Sequence, residues 1–81
     1  MGRIKKLSSP HLGYYINDRD HNPPHVHVRG LGASVRVNLK TLEPMDAKTK
    51  FSASTLKKIL EVVSENQILL LEEWEIIYGQ D

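Results

Sequence analysis

Two short runs of alternating apolar and polar residues constrain this chain more than any other feature. Residues 25–29 read His-Val-His-Val-Arg and residues 35–39 read Val-Arg-Val-Asn-Leu, with the glycine-containing tetrapeptide 30–33 between them. Side chains along a strand point alternately to opposite faces, so both runs are typical of half-buried strands. Because short glycine-containing loops join antiparallel strands, the pattern predicts a β-hairpin with one apolar and one polar face.

The register of this hairpin follows from the same alternation. If the valines of both strands face the core, Val28 lies opposite Val35, and His27 lies opposite Arg36 on the other face. A shift of one residue would exchange the two faces, so every inference about the polar face depends on this register. The polar face predicted in this way carries His25, His27, Arg29, Arg36, Asn38 and Lys40.

The segments on either side of the hairpin predict an α+β fold. Residues 12–16 alternate like a short strand, whereas the proline in residues 42–45 restricts that segment to a turn or an edge strand. From residue 53 onward, apolar residues recur at helical spacing. We therefore predict one domain over residues 1–81. It has a small antiparallel sheet of three to four strands (roughly 12–47), packed against one or two C-terminal helices (roughly 53–78).

The helical segment has recognisable signals at its ends and in its middle. Ser52 or Ser54 can act as the N-cap, and Gly79 is a typical helix stop. The pattern is weakest at residues 64–66, which predicts either two helices or one bent helix. Three glutamates near the C-terminal end (72, 73 and 75) stand where the helix dipole disfavours anions. A basic group, from the hairpin or from another chain, should therefore lie nearby.

Composition limits the compartment and the partners. The chain has no cysteine, which is consistent with a reducing compartment, and its apolar runs are too short to cross a bilayer. Its basic N-terminus is not followed by an apolar stretch, so a cytoplasmic protein is expected. All 11 Lys and Arg lie at or before Lys58, whereas six acidic residues and no basic one follow it. The two halves either neutralise each other or leave a basic surface for nucleic acid or an acidic partner.

Three of the four histidines lie within residues 21–27, around the pair Pro23-Pro24. Imidazole titrates near neutral pH, so histidines beside cations can exchange protons with a ribose hydroxyl and a leaving oxygen. The cations would stabilise the negative charge that develops on phosphorus oxygens. These residue types favour metal-independent RNA cleavage. The predicted catalytic residues are His21, His25 and His27. The predicted nucleic-acid contacts are Arg29, Arg36, Lys40 and Tyr15, with Tyr14 as an alternative ring or hydroxyl.

Two other interpretations of the histidines stay open. Three imidazoles with a free fourth position would suit a catalytic zinc, but no glutamate stands at a metallohydrolase spacing, so no metal or cofactor is assigned. Alternatively, Asp20, His21 and His25 hold an irregular loop through hydrogen bonds to the backbone. For His21 this structural role is favoured over catalysis, and for His25 and His27 neither role is preferred.

The same residues resemble a known family. Residues 20–27 read Asp-His-Asn-Pro-Pro-His-Val-His, residues 14–18 read Tyr-Tyr-Ile-Asn-Asp, and the helical segment contains Leu-Leu-Glu-Glu-Trp. Together they resemble the small bacterial proteins grouped as domain of unknown function 4160, over roughly residues 12–78. The resemblance implies a protein encoded in a two-gene operon beside another small protein, and membership of a toxin–antitoxin pair.

Two functions follow as expectations. The first is a toxin–antitoxin-type protein that acts on RNA through the histidine-rich basic sheet face, as a metal-independent ribonuclease. The alternative is a non-enzymatic module that binds a protein or a nucleic acid and pairs with the operon partner. No membrane association is expected. An exposed edge strand would allow a homodimer formed by sheet extension.

Overall fold

Four strands are followed by two helices in the computed structural model, which describes residues 2–3, 7, 11–16, 22–46 and 48–78. The strands form one antiparallel sheet in the order β1-β2-β3-β4. The predicted α+β fold is confirmed. The elements are β1 (Gly2–Arg3), β2 (Gly13–Ile16), β3 (His25–Gly30), β4 (Ala33–Asn38), α1 (Ala53–Glu65) and α2 (Gln67–Tyr78).

The β3–β4 hairpin has the predicted register, with Val28 opposite Val35 and His27 opposite Arg36. The loop is shorter than the predicted four residues, because residues 30 and 33 still pair and only Leu31 and Gly32 turn. Their φ angles are 54° and 74°. Positive φ at both central residues is the backbone of a type I′ turn, whose twist matches that of the flanking strands and lets the pairing continue.

Gly30 is required where β3 ends. Its φ of 151° is one that residues with a side chain rarely adopt. A Cβ at this position would also overlap the backbone carbonyl of His11. The chain just before β2 therefore lies directly against the end of the hairpin, and only glycine leaves room for it.

A short segment after β4, residues 43–46 and here called the edge segment, lies along the free edge of that strand. Pro44 forms an isolated bridge with Val37, and the Met45 N–H donates to the Arg36 carbonyl at 2.7 Å. The turn before it is held by Asn38, whose Oδ1 accepts from the Lys40 N–H at 2.8 Å. Residues 42–45 were predicted to form a turn or an edge strand, and Pro44 pairs with the sheet edge through this one bridge. Lys40, however, was expected on the strand, and it lies exposed in the turn because β4 ends at residue 38.

The helical segment consists of two helices, one of the two predicted arrangements. Ser52 is the N-cap of α1, and its Oγ accepts from the Thr55 N–H at 3.2 Å. Asn66 separates the helices: its Nδ2 donates to the Val62 carbonyl at 2.8 Å, and its own carbonyl accepts from the Leu70 N–H at 2.9 Å. The predicted stop at Gly79 lies outside the described residues.

The helices bury the valine face of the sheet. The Gln67 side chain donates to the Leu39 carbonyl at 2.8 Å and ties the start of α2 to the residue that follows β4. No described helix is both long enough and apolar enough to span a membrane. The core consists of Tyr14, Ile16, Val26, Val28, Val35, Val37, Leu39, Phe51, Ile59, Val63, Leu70 and Trp74.

Candidate functional site

The sheet face opposite the core, here called the outer face, gathers most of the residues singled out by the sequence. Tyr15 pairs with His27 across β2 and β3, and His27 pairs with Arg36 across β3 and β4. Tyr14 points the other way and is buried in the core. The residues that strand alternation assigns to the outer face are Gly13, Tyr15, His25, His27, Arg29, Ser34, Arg36 and Asn38.

Arg36 is held by a carboxylate from the edge segment. Its Nε and Nη2 donate to Asp46 Oδ1 at 3.1 and 2.7 Å, and its backbone N–H donates to Asp46 Oδ2 at 2.8 Å. The side-chain hydrogen bond from Arg36 lowers the pKa of Asp46; partial burial opposes this shift, and the charges of Arg36 and His27 add to it. Asp46 is therefore ionised at neutral pH and fixes one guanidinium on the outer face.

A polar concavity of about 380 Å³ opens between β3, β4 and the edge segment. Four of its lining side chains are cationic or can become cationic, against one carboxylate. That carboxylate is already engaged by Arg36. Such a concavity can bind an anion, because guanidinium and ammonium groups donate charge-assisted hydrogen bonds to phosphate or carboxylate oxygens. The lining residues are His27, Arg29, Ser34, Val35, Arg36, Asp46 and Lys48.

His25 lies at the border between the outer face and the core. It is only 4% exposed. Its Nδ1 lies 2.7 Å from the Pro23 carbonyl, and because a carbonyl can only accept, Nδ1 carries the proton. Its ring centroid is 5.0 Å from that of His27 and 5.5 Å from that of Trp74. The Pro-Pro turn and α2 thus hold this ring, which matches the structural role left open for it.

His27 differs from its neighbour two residues earlier. It is half-buried and lines the concavity, whereas His25 does not. His27 lies opposite Arg36 in the sheet and lines the concavity together with Asp46. Of the two described strand histidines, His27 is therefore the one in a position to meet a ligand bound in the concavity.

Tyr15 and Arg29 form a second feature of the outer face. The Arg29 guanidinium carbon lies 5.6 Å from the centroid of the Tyr15 ring, within the range of a cation–π contact. The ring leans over Gly13, where a Cβ would come within 2.5 Å of the Tyr15 hydroxyl oxygen. The missing side chain at residue 13 therefore lets the ring lie beside Arg29, which is itself exposed.

The structure brings His27, Arg29 and Arg36 into one concavity and leaves His25 and Tyr15 beside it. It does not bring Lys40 there, and His21 lies outside the described residues. Among the residues that are described, no group of three His, Asp or Glu side chains is placed to hold a metal ion. Sequence reasoning missed Ser34, Asp46 and Lys48.

Two of these three residues could have been assigned to the site from the predicted strand pairing. The predicted register already set residue 34 opposite Arg29, so Ser34 could have been assigned to the outer face. The segment predicted as a turn or an edge strand, continued by one residue, reaches Asp46 beside Arg36. Lys48 offered no such signal, because it follows the paired segment and belongs to no strand.

The model of the family described as a domain of unknown function (DUF4160) matches residues 14–75, which include most of β2, the whole hairpin, α1 and most of α2. No curated protein and no solved structure matches the chain. Because the match covers well over half of the sequence, the chain belongs to the DUF4160 family.

Proposed function

We propose that this protein binds RNA through the outer face and acts in the bacterial cytoplasm as one member of a toxin–antitoxin-type pair. The observation that carries the proposal is the concavity beside β3 and β4, in which cationic side chains from three segments converge. A cation-lined sheet face can contact the phosphates of a nucleic acid, and the Tyr15 ring beside it favours an RNA with unpaired bases.

Four residues in or beside the concavity contact the RNA in this proposal. Arg29 and Lys48 are exposed and contact phosphate oxygens, while Arg36, held by Asp46, presents a fixed guanidinium edge. Tyr15 keeps Arg29 in place through its ring and offers an aromatic surface to a base of a single strand.

RNA binding is better supported than RNA cleavage in which two histidines act as acid and base. His25 is buried, and its Nδ1 is engaged by the Pro23 carbonyl. A general acid or base must come within hydrogen-bond reach of the reacting oxygen, and His27 is better exposed for that contact. If the protein cleaves RNA, His27 acts as the proton-transfer group, and the roles of His25 and His21 in catalysis stay predictions.

The test is the binding of a fluorescent single-stranded RNA oligonucleotide, measured by anisotropy over a series of salt concentrations. Arg29→Ala and Lys48→Ala should each weaken binding and reduce the salt dependence by roughly one phosphate contact. Lys57→Ala is the matched control, since Lys57 is an exposed cation on α1 and lines a different groove. Equal losses in all three variants, or no binding by the wild type, would refute RNA binding at this site.

The same oligonucleotide separates the two functional classes. After incubation, electrophoresis shows whether the RNA is cut, and His27→Ala should abolish any cutting while leaving the chain folded by circular dichroism. Binding without cutting supports a non-enzymatic RNA-binding module. Cutting that survives in His27→Ala would contradict the role assigned to His27.

A further inference from the structure

The exposed side of α2 carries large apolar side chains, although this helix already buries another side. Leu70 and Trp74, four residues apart, are buried in the core. Ile68 and Ile76, eight residues apart, lie on the opposite side and are 74% and 67% exposed. A surface helix of a small protein normally has one apolar stripe, so a second stripe indicates a binding surface. We call the following set the α2 ridge: Ile68, Leu71, Glu72, Glu75 and Ile76.

The charge of the α2 ridge has a single sign. Glu72 and Glu75 are exposed, and no basic residue follows Lys58 in the sequence. Within the part of the chain that the structure describes, neither glutamate forms a salt bridge. Glu75 also lies in the last turn of α2, where the helix dipole disfavours anions and no basic residue is present. An external cation would relieve this unfavourable arrangement.

We propose that the α2 ridge binds a basic amphipathic helix of a different protein. Leucine-like side chains of that helix would cover Ile68 and Ile76, and its lysines or arginines would pair with Glu72 and Glu75. A second copy of this chain fits less well, because pairing two ridges would bring four glutamates together. The α2 ridge shares no residue with the outer face, so this partner and RNA would bind at separate surfaces.

The probes are two synthetic helical peptides with leucines at the same heptad positions, one with lysines and one with glutamates at the flanking positions. Binding to the purified protein is followed by anisotropy of the labelled peptide. The lysine peptide should bind on the order of tenfold more tightly than the glutamate peptide, because only it complements the ridge. Equal binding of both peptides would overturn the proposal.

Matched substitutions locate the contact. Ile68→Asn and Ile76→Asn should each weaken binding of the lysine peptide by roughly tenfold, as for residues central to an interface. Leu31→Asn is the control, because Leu31 is also a large exposed apolar residue (64%) but lies at the hairpin turn, where asparagine tolerates the positive φ. Unchanged binding in both isoleucine variants, or an equal loss in the control, would contradict the assignment.

Charge reversal gives an independent readout. Glu72→Lys with Glu75→Lys should invert the preference, so that the glutamate peptide binds more tightly. Sedimentation of the protein alone tests whether a second copy of this chain covers the α2 ridge instead. A dimer that Ile76→Asn dissociates would show that the α2 ridge joins two copies of this chain, and would overturn the proposal of a different partner.

Discussion

The outer face and the α2 ridge both lie at the surface, but they are built in opposite ways. The outer face is cationic, and its charged groups are held by contacts: Arg36 by Asp46, and Arg29 by the ring of Tyr15. The α2 ridge is acidic and apolar, and neither Glu72 nor its companion at residue 75 is paired among the described residues. One surface is preorganised for an anion, and the other presents uncompensated charge and apolar area.

The two surfaces also differ in how much of the chain they need. The α2 ridge comes from a single helix, so one local periodicity determines it. The concavity on the outer face needs two strands and the segment that follows them, so its composition depends on long-range pairing. Substitutions in the supporting backbone should therefore damage the outer face far more than the α2 ridge.

The largest expected effect comes from Gly30→Ala. The added Cβ would overlap the His11 carbonyl, and alanine disfavours this positive φ, so the free energy of unfolding should fall by at least about 2 kcal/mol. Ile76→Asn, on the α2 ridge, should change it by less than about 0.5 kcal/mol. Urea unfolding followed by circular dichroism measures both. Equal urea midpoints for the two variants would contradict the expectation that the outer face depends more on its supporting backbone than the α2 ridge does.

A charge exchange tests whether the two surfaces act separately. Lys48→Glu should weaken RNA binding by roughly tenfold, because it removes a phosphate contact and adds a repulsive charge. Glu72→Lys should change RNA affinity by less than about twofold, because the α2 ridge is outside the concavity and salt screens distant charges. Anisotropy with the same oligonucleotide checks both. A comparable change in the two variants would mean that net charge, not the concavity, governs binding.

Asn38→Ala tests the turn that delivers the edge segment. Its Oδ1 accepts from the backbone N–H groups of Lys40 and Thr41, and losing both bonds should lower the free energy of unfolding by about 1 kcal/mol. RNA affinity should fall with it, since this turn leads to Asp46 and Lys48. Asn38→Asp keeps an acceptor oxygen and should retain more stability. An RNA affinity unchanged in Asn38→Ala would show that the turn does not position the site.

The smallest effect is the pH dependence of the Arg36–Asp46 pair. Hydrogen bonding lowers the pKa of Asp46 below 3.8, its ordinary value. The stability contributed by the pair is therefore fully present above that value and is lost as the pH falls through the lower pKa of the folded state. Because both side chains are partly exposed, the contribution should stay below about 1 kcal/mol. The free energy of unfolding is measured between pH 5 and pH 2 for the wild type and for Asp46→Asn. The variant should lose less stability with acid, because it lacks the contribution of the Arg36–Asp46 pair. Identical pH profiles for the two proteins would contradict this prediction.

Much of the fold could be predicted from local patterns. Val26, Val28, Val35 and Val37 alternate, and this determined the hairpin and its register correctly. Ser52 and the weak pattern near Asn66 likewise indicated where the helices begin and break. These features depend on neighbours in sequence, which is why they were accessible.

The candidate site was only partly predictable, because it also depends on contacts between residues that are distant in sequence. Alternation correctly assigned His27 and Arg36 to one face, but it extended β4 too far and misplaced Lys40. It also treated His25 and His27 as equivalent, although Trp74 from a distant helix packs against only one of them among the ring contacts described. The difference in their exposure depends on tertiary packing.

The sequence by itself determined the β-hairpin, the sign of charge on each half and the apolar periodicity of the helices, because each is a local property of neighbouring residues. Only the tertiary structure decided that Asp46 holds Arg36, that Lys48 lines the concavity, and that His25 is covered while His27 is not. These outcomes depend on how segments distant in sequence pack, and packing distances are not encoded in any single stretch of the chain.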